Sequence, residues 1–156
     1  MYVSLVADSK NGKIDTTDDN TATLSNVHQL DAPVSLPAGV KMPLGLIAFV
    51  ADVGLSGGAT GTTETFSLYV ESTIGVNGYW KQDANHDWVN LASALYGGQM
   101  VAEGGKTRLD FQITDGGAFD DDHVVNGTIV DPGSAGFIAL SLVGYAPELP
   151  VIGYWF

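Results

Sequence analysis

Cysteine is absent from this 156-residue chain, so it has neither a disulfide framework nor a thiolate metal site. Its stability must then come from a hydrophobic core and from any metal ions that it binds. No apolar run approaches the about 18 residues that a membrane-spanning helix needs. We therefore expect no direct insertion into a membrane.

Basic residues are scarce. The chain has 6 Lys and Arg against 18 Asp and Glu, for a formal net charge of −12. This balance excludes nucleic acid as a partner, because phosphates bind Lys and Arg, and it disfavours anionic membrane surfaces. Bound divalent cations would cancel much of the repulsion, so several calcium ions in one domain are plausible on electrostatic grounds.

Catalytic signatures are also missing. The three histidines, His28, His86 and His123, are scattered, and no Gly-x-Ser-x-Gly motif supplies a nucleophile. No two histidines have the spacing of a zinc site. The acids that might cleave a glycoside lie in Gly-rich, metal-like loops instead. We therefore expect that the chain is not an enzyme.

Glycine is abundant, and short β-type runs lie between the turn residues. In one of them Phe66, Leu68 and Val70 alternate with polar residues, which indicates a half-buried strand. The runs are 44–53, 64–71, 78–81, 107–114 and 136–143, and only 86–95 suggests a helical turn or two. Regular spacing of short strands indicates a sandwich or a barrel. We expect one domain over residues 1–156 and a monomer. The strongly aromatic end of the sequence suggests that this domain is part of a larger protein.

An acidic, glycine-punctuated loop, residues 115–133, follows the predicted strand 107–114. Carboxylates packed so densely repel one another unless a hard cation lies among them, and calcium takes about 6–8 oxygen ligands. The preferred ligands are Asp115, Asp120, Asp122, Asn126 and Asp131. Asp121 is either a further ligand or a solvated neighbour.

Two polar residues of the preceding strand, Asp110 and Gln112, share one face of it. Asp110 is a candidate metal ligand and Gln112 a candidate ligand-binding residue, and the alternative for both is an ordinary polar sheet face. A second acidic loop near the start shares an Asn-Gly-x-Ile element with Asn126–Ile129. Its candidate calcium ligands are Asp8, Asn11, Asp15 and Asp18, and the alternative is an Asx-rich turn without metal.

Three aromatic residues cluster in a short span of the sequence. Tyr79, Trp80 and Trp88, if exposed, would make the walls of a peptide groove or a stacking platform for a sugar. Packing in the core is the alternative for all three.

Residues 77–133 carry a resemblance to a known family. A Tyr-Trp block with a later Trp (79, 80, 88) precedes Thr-Asp-Gly-Gly (114–117), and the stretch ends in Asn-Gly-Thr-Ile-Val-Asp-Pro-Gly (126–133). This order resembles the bacterial extracellular modules grouped as choice-of-anchor domains, and among them the calcium-dependent peptide-binding domain of RTX adhesins. His123-Val-Val125 departs from the family pattern, which has small or acidic residues there.

The resemblance implies an all-β fold: a calcium-loaded antiparallel β-sandwich with long Gly/Asp-rich loops. It also implies a protein of the bacterial cell surface that binds the C-terminus of a peptide, with the carboxylate meeting a calcium ion, and so mediates attachment to host or microbial cells. Two alternatives stay open. One is a calcium-dependent carbohydrate-binding module, and the other is a structural spacer that calcium makes rigid.

Overall fold

The computed structural model describes residues 3–7, 22–54 and 61–139, and within them the chain is a sandwich of two antiparallel sheets. The prediction of an all-β sandwich is confirmed. The strands are β1 Ser4–Ala7, β2 Thr23–Leu30, β3 Val40–Lys41, β4 Leu46–Asp52, β5 Thr63–Glu71, β6 Gly78–Gln82, β7 Trp88–Asn90, β8 Gln99–Glu103, β9 Lys106–Thr114 and β10 Thr128–Ile138. Among the residues described, no helix has the length and apolar character needed to cross a bilayer.

The first sheet has the order β1-β5-β9-β8, and the second has the order β2-β4-β10-β6-β7, with β3 also paired to β10. In the first sheet, β5 and β9 pair over their full lengths, with Phe66 opposite Phe111. In the second sheet, β10 is central and lies between β4 and β6. The sheet order thus brings β6 and β10 side by side although about fifty residues separate them in sequence.

The core forms where the alternating apolar residues of both sheets meet. Phe66, Leu68 and Val70 of β5 are fully buried, as the period-two pattern predicts. Four aromatic rings connect the two sheets. Phe49 of β4 packs on Phe66, Phe66 packs on Phe111, and Tyr79 of β6 stacks on Phe111 with 3.7 Å between ring centroids. Tyr79 therefore joins the second sheet to the first.

Two segments differ from the sequence prediction. A loop was expected through residue 133, but β10 begins at Thr128 and includes Asp131, Pro132 and Gly133. The turn-forming residues are overridden because this part of β10 pairs with β4 up to Gly133, and β6 pairs with the next residues, Ser134 to Gly136. The helical turn expected at 86–95 is instead strand β7 followed by a short 3₁₀ turn at Ala94–Tyr96.

Candidate functional site

The acidic loop, residues 115–127, lies between β9 and β10 and is stabilised by its own carboxylates. Asp115 is buried and accepts hydrogen bonds from the amides of Asn126, at 3.2 Å, and Gly127, at 2.8 Å. Asp120 is also buried and accepts from the amides of Gly116, at 2.8 Å, and Val130, at 2.9 Å. These bonds tie both ends of the loop together, so the two acids shape the loop.

The exposed part of the acidic loop contains two further predicted ligands. Asp122 accepts from the Val124 amide at 2.9 Å and from the Asn126 side-chain nitrogen at 3.0 Å. The Val124 amide is the main reason that the pKa of Asp122 is lowered. Burial raises the pKa of Asp120, and the nearby charge of Asp122 adds to that effect. The structure thus brings Asp115, Asp120, Asp122 and Asn126 into one loop, with two carboxylates that influence each other.

Asp131 lies apart from these acids, inside the sandwich. Its carboxylate accepts a hydrogen bond from the Tyr79 hydroxyl at 2.5 Å and forms an ion pair with Lys81, which also donates to the Pro132 carbonyl at 3.1 Å. Asp131 and Lys81 are both buried. Burial raises the pKa of Asp131 and raises that of Tyr79 well above its usual value, so the phenol stays a hydrogen-bond donor. An ammonium therefore already occupies the place beside Asp131 where a calcium ion was predicted.

Gly133 makes this arrangement possible. A Cβ atom at Gly133 would lie 2.6 Å from the Tyr79 hydroxyl oxygen and 2.5 Å from the ring, too close for any real contact. The missing side chain lets the Tyr79 ring cross β10 and reach Asp131. Tyr79 has no exposed surface, and Trp80 is buried with its indole nitrogen donating to Gly136, so both pack in the core rather than forming a ligand wall.

Asp110 and Gln112 lie on the outer face of the first sheet. Asp110 accepts from Arg108, from Ser67 at 2.7 Å and from Gln99 at 2.9 Å. The guanidinium neutralises the carboxylate, and this arrangement favours the polar-face alternative for Asp110. The Gln112 side chain packs against the place where Gly97 has no side chain.

An open groove lies between the β6–β7 turn and the acidic loop, and its volume is about 750 Å³. We call it the Trp88 groove. Trp88 and Phe119 contribute aromatic surface, while Asp83 and Asp121 contribute acidic groups. Lys81 also lines it, so the groove reaches the buried ion pair. Its other lining residues are Pro33, Leu46, Gln82, Ala84, His86, Ala118, His123 and Pro132.

Two histidines of the Trp88 groove have unusual backbone angles. His86 has φ of 65° and His123 has φ of 54°, and Asn26 is the third non-glycine residue with positive φ in the described ranges. This left-handed conformation is costly for a side chain with a Cβ atom, by about 1–2 kcal/mol, and glycine would avoid the cost. Both histidines line the groove, so the unusual backbone angles coincide with it.

The sequence found Trp88 and the acidic loop but missed most of the groove. Lys81 could have indicated the groove from the sequence, because it follows Tyr79 by two residues and therefore lies on the same, inward face of the strand. A lysine on a buried face needs an acidic partner. Phe119 and the two histidines carried no pattern that distinguishes them from ordinary loop residues. The first acidic loop, with Asp8, Asn11, Asp15 and Asp18, lies outside the described residues.

The donor chemistry of the acidic loop suits a hard cation, because its side chains offer only oxygen ligands apart from His123 and the Asn126 amide nitrogen. No three His, Cys, Asp or Glu side chains converge as a metal cluster within residues 3–7, 22–54 and 61–139. A calcium ion at Asp120 and Asp122 would have to complete its coordination with main-chain carbonyls, Asn126 or water. Searches with protein-family models, among curated proteins and among solved structures gave no match to this chain.

Proposed function

We propose that this chain is the calcium-dependent ligand-binding module of a bacterial extracellular adhesin, and that the Trp88 groove receives the C-terminal segment of a peptide. The observation that carries the proposal is the position of the groove. It lies directly beside the acidic loop and contains the one predicted aromatic wall residue, Trp88, that is not in the core. Aromatic surface, charged groups and a candidate cation loop thus meet at one end of the sandwich.

The size and lining of the Trp88 groove suit a short peptide. Small-ligand sites have volumes of about 300–1,000 Å³ and combine apolar walls with a few polar groups. The volume of about 750 Å³ lies in this range. Trp88 and Phe119 would cover apolar side chains, while His86 and His123 would donate hydrogen bonds to main-chain carbonyls.

Calcium gives a physical reason for binding an anionic group to this protein. A peptide carboxylate approaching a chain of net charge −12 is repelled unless a cation lies near its binding site. Asp120, Asp122 and Asn126 are the residues that would bind calcium in the acidic loop. When bound, calcium supplies positive charge for the carboxylate.

We expect peptides with a free C-terminus to bind only in the presence of calcium, and amidation to weaken binding about tenfold or more, because it removes the charged group. Calorimetry with a C-terminally randomised peptide pool, with calcium and with a chelator, measures this directly. An affinity that does not change on amidation would contradict the carboxylate mechanism. Trp88→Ala should weaken the binding, whereas Met100→Ala, which removes an exposed side chain outside the groove, should leave it unchanged.

Asp122→Ala should lower the calcium affinity of the chain, because it removes one of the two neighbouring carboxylates. Asp31→Ala is the matched control, since Asp31 is an exposed acid outside the acidic loop. Calcium titration followed by calorimetry compares the two variants with the wild type. Equal titrations for Asp122→Ala and the wild type would remove Asp122 from the site.

The same experiments separate the other functions that the sequence leaves open. Binding of simple sugars alone, with calcium, would assign the Trp88 groove to a carbohydrate, whose ring would stack on Trp88. Calcium binding with no peptide or sugar bound would indicate a spacer that calcium makes rigid.

A further inference from the structure

We propose that Lys81 and Asp131 condense into an intramolecular amide, which cross-links β6 to β10 inside the sandwich. The two side chains are in direct contact, and neither is more than 5% exposed. Burial favours the neutral amine and acid over the ion pair, and contact holds the two reacting groups together. This inference is independent of the proposed binding function.

The positions of the three inward-facing groups follow from the sheet. Tyr79 pairs with Ala135 and Trp80 with Ser134, so Lys81 lies level with the residues just before Ser134 on β10. Lys81 and Tyr79 share one face of β6, and Asp131 and Gly133 share the same face of β10. Because Gly133 has no side chain, both Lys81 and Tyr79 extend across it to the Asp131 carboxylate.

The reaction needs no other reagent. The Lys81 nitrogen attacks the Asp131 carboxyl carbon, a C–N bond forms, and the C–O bond to Oδ1 breaks. The ammonium nitrogen loses two protons, and both leave with Oδ1 as one water molecule. Oδ2 becomes the amide oxygen. No atom is oxidised or reduced.

The surroundings favour each part of that step. An ion pair in a medium of low dielectric constant is costly, so transfer of a proton from the ammonium to the carboxylate yields the neutral amine and acid that react. The Tyr79 hydroxyl donates to Oδ2 at 2.5 Å, where negative charge develops during the attack. Because the Lys81 amine and the Asp131 carboxyl group are already in contact, the reaction needs no bimolecular encounter. Lys81 and Pro132 line the Trp88 groove, which gives the water molecule a route out.

The chain contains a matched pair that lacks these conditions. Lys106 and Glu71 also form an ion pair across two neighbouring antiparallel strands, but their side chains are 41% and 44% exposed. Water solvates both charges there. We expect this pair to remain an ordinary salt bridge.

Mass spectrometry of the denatured, purified chain tests the proposal. We expect the wild type to be lighter than its sequence by one water molecule, and Lys81→Arg to have its full sequence mass, because arginine does not form the amide. Proteolysis of the wild type should give a branched peptide that joins Lys81 to Asp131, with Lys106 and Glu71 in linear peptides. Tyr79→Phe should slow the mass change several-fold after refolding.

A wild-type chain that keeps its full sequence mass after prolonged incubation in the folded state would overturn the proposal. Loss of water without the branched peptide would also overturn it, since a succinimide at Asp115-Gly116 produces the same mass. If Lys81→Arg does not fold, the mass and peptide map of the wild type still decide the question.

Discussion

Lys81→Met should lower the free energy of unfolding by at least about 3–5 kcal/mol. Lys81 is the cation in contact with the Asp131 carboxylate, and the substitution leaves that carboxylate buried without its partner. Removing one partner of a buried ion pair typically costs this much, because an unpaired charge in the interior has lost its hydration. Urea denaturation of the variant and the wild type measures the difference. An amide between the two residues would increase the loss further.

Lys106→Met is the matched control for this experiment. It removes a lysine from an ion pair of similar strand geometry, but on the surface, and exposed pairs contribute about 0–1 kcal/mol. The double variant Lys81→Met, Asp131→Leu should recover much of the lost stability, since an apolar pair has no unpaired charge. Equal effects of Lys81→Met and Lys106→Met would show that the buried pair is not important for stability.

Asp120→Ala should lower the free energy of unfolding by about 2 kcal/mol or more. The substitution removes the acceptor of the Gly116 and Val130 amides, and a buried donor left without an acceptor costs about 1–3 kcal/mol. It also releases the acidic loop from the start of β10. Thermal or urea unfolding in the presence of a chelator separates this effect from calcium binding.

Asp121→Ala is the adjacent control for Asp120→Ala. Asp121 is exposed, and its substitution should change the stability by less than about 0.5 kcal/mol. If Asp120→Ala is as stable as Asp121→Ala in chelator, the carboxylate of Asp120 does not organise the loop. A large calcium-dependent stabilisation that only Asp120→Ala loses would instead place the role of Asp120 in cation binding.

The local pattern was sufficient to predict the strand class and the acidic loop. Alternation of Phe66, Leu68 and Val70 predicted β5 because side chains on a strand point to opposite faces in turn. The dense Asp, Asn and Gly residues of 115–133 predicted an acidic loop; the loop is present up to β10, which begins at Thr128, and its calcium binding stays a prediction. Both are short-range properties, so neighbouring residues are enough to determine them.

Local sequence patterns did not predict which strands pair with each other. Pro132 and Gly133 suggested a turn, but they belong to a central strand, because they pair with β4 and the residues that follow them pair with β6. Asp131 accordingly lies beside Lys81 instead of in the acidic loop. The same pairing buries Tyr79 and Trp80 while leaving Trp88 in the groove.

The sequence by itself determined the all-β class, the approximate positions of several strands and the existence of one acidic loop, because these depend on residue type and spacing over a few positions. Only the tertiary structure decided which acid faces a cationic side chain and which aromatic residue lines a groove. Those outcomes depend on contacts between β6, β10 and the acidic loop, and such contacts follow from the order of strands across the sheet.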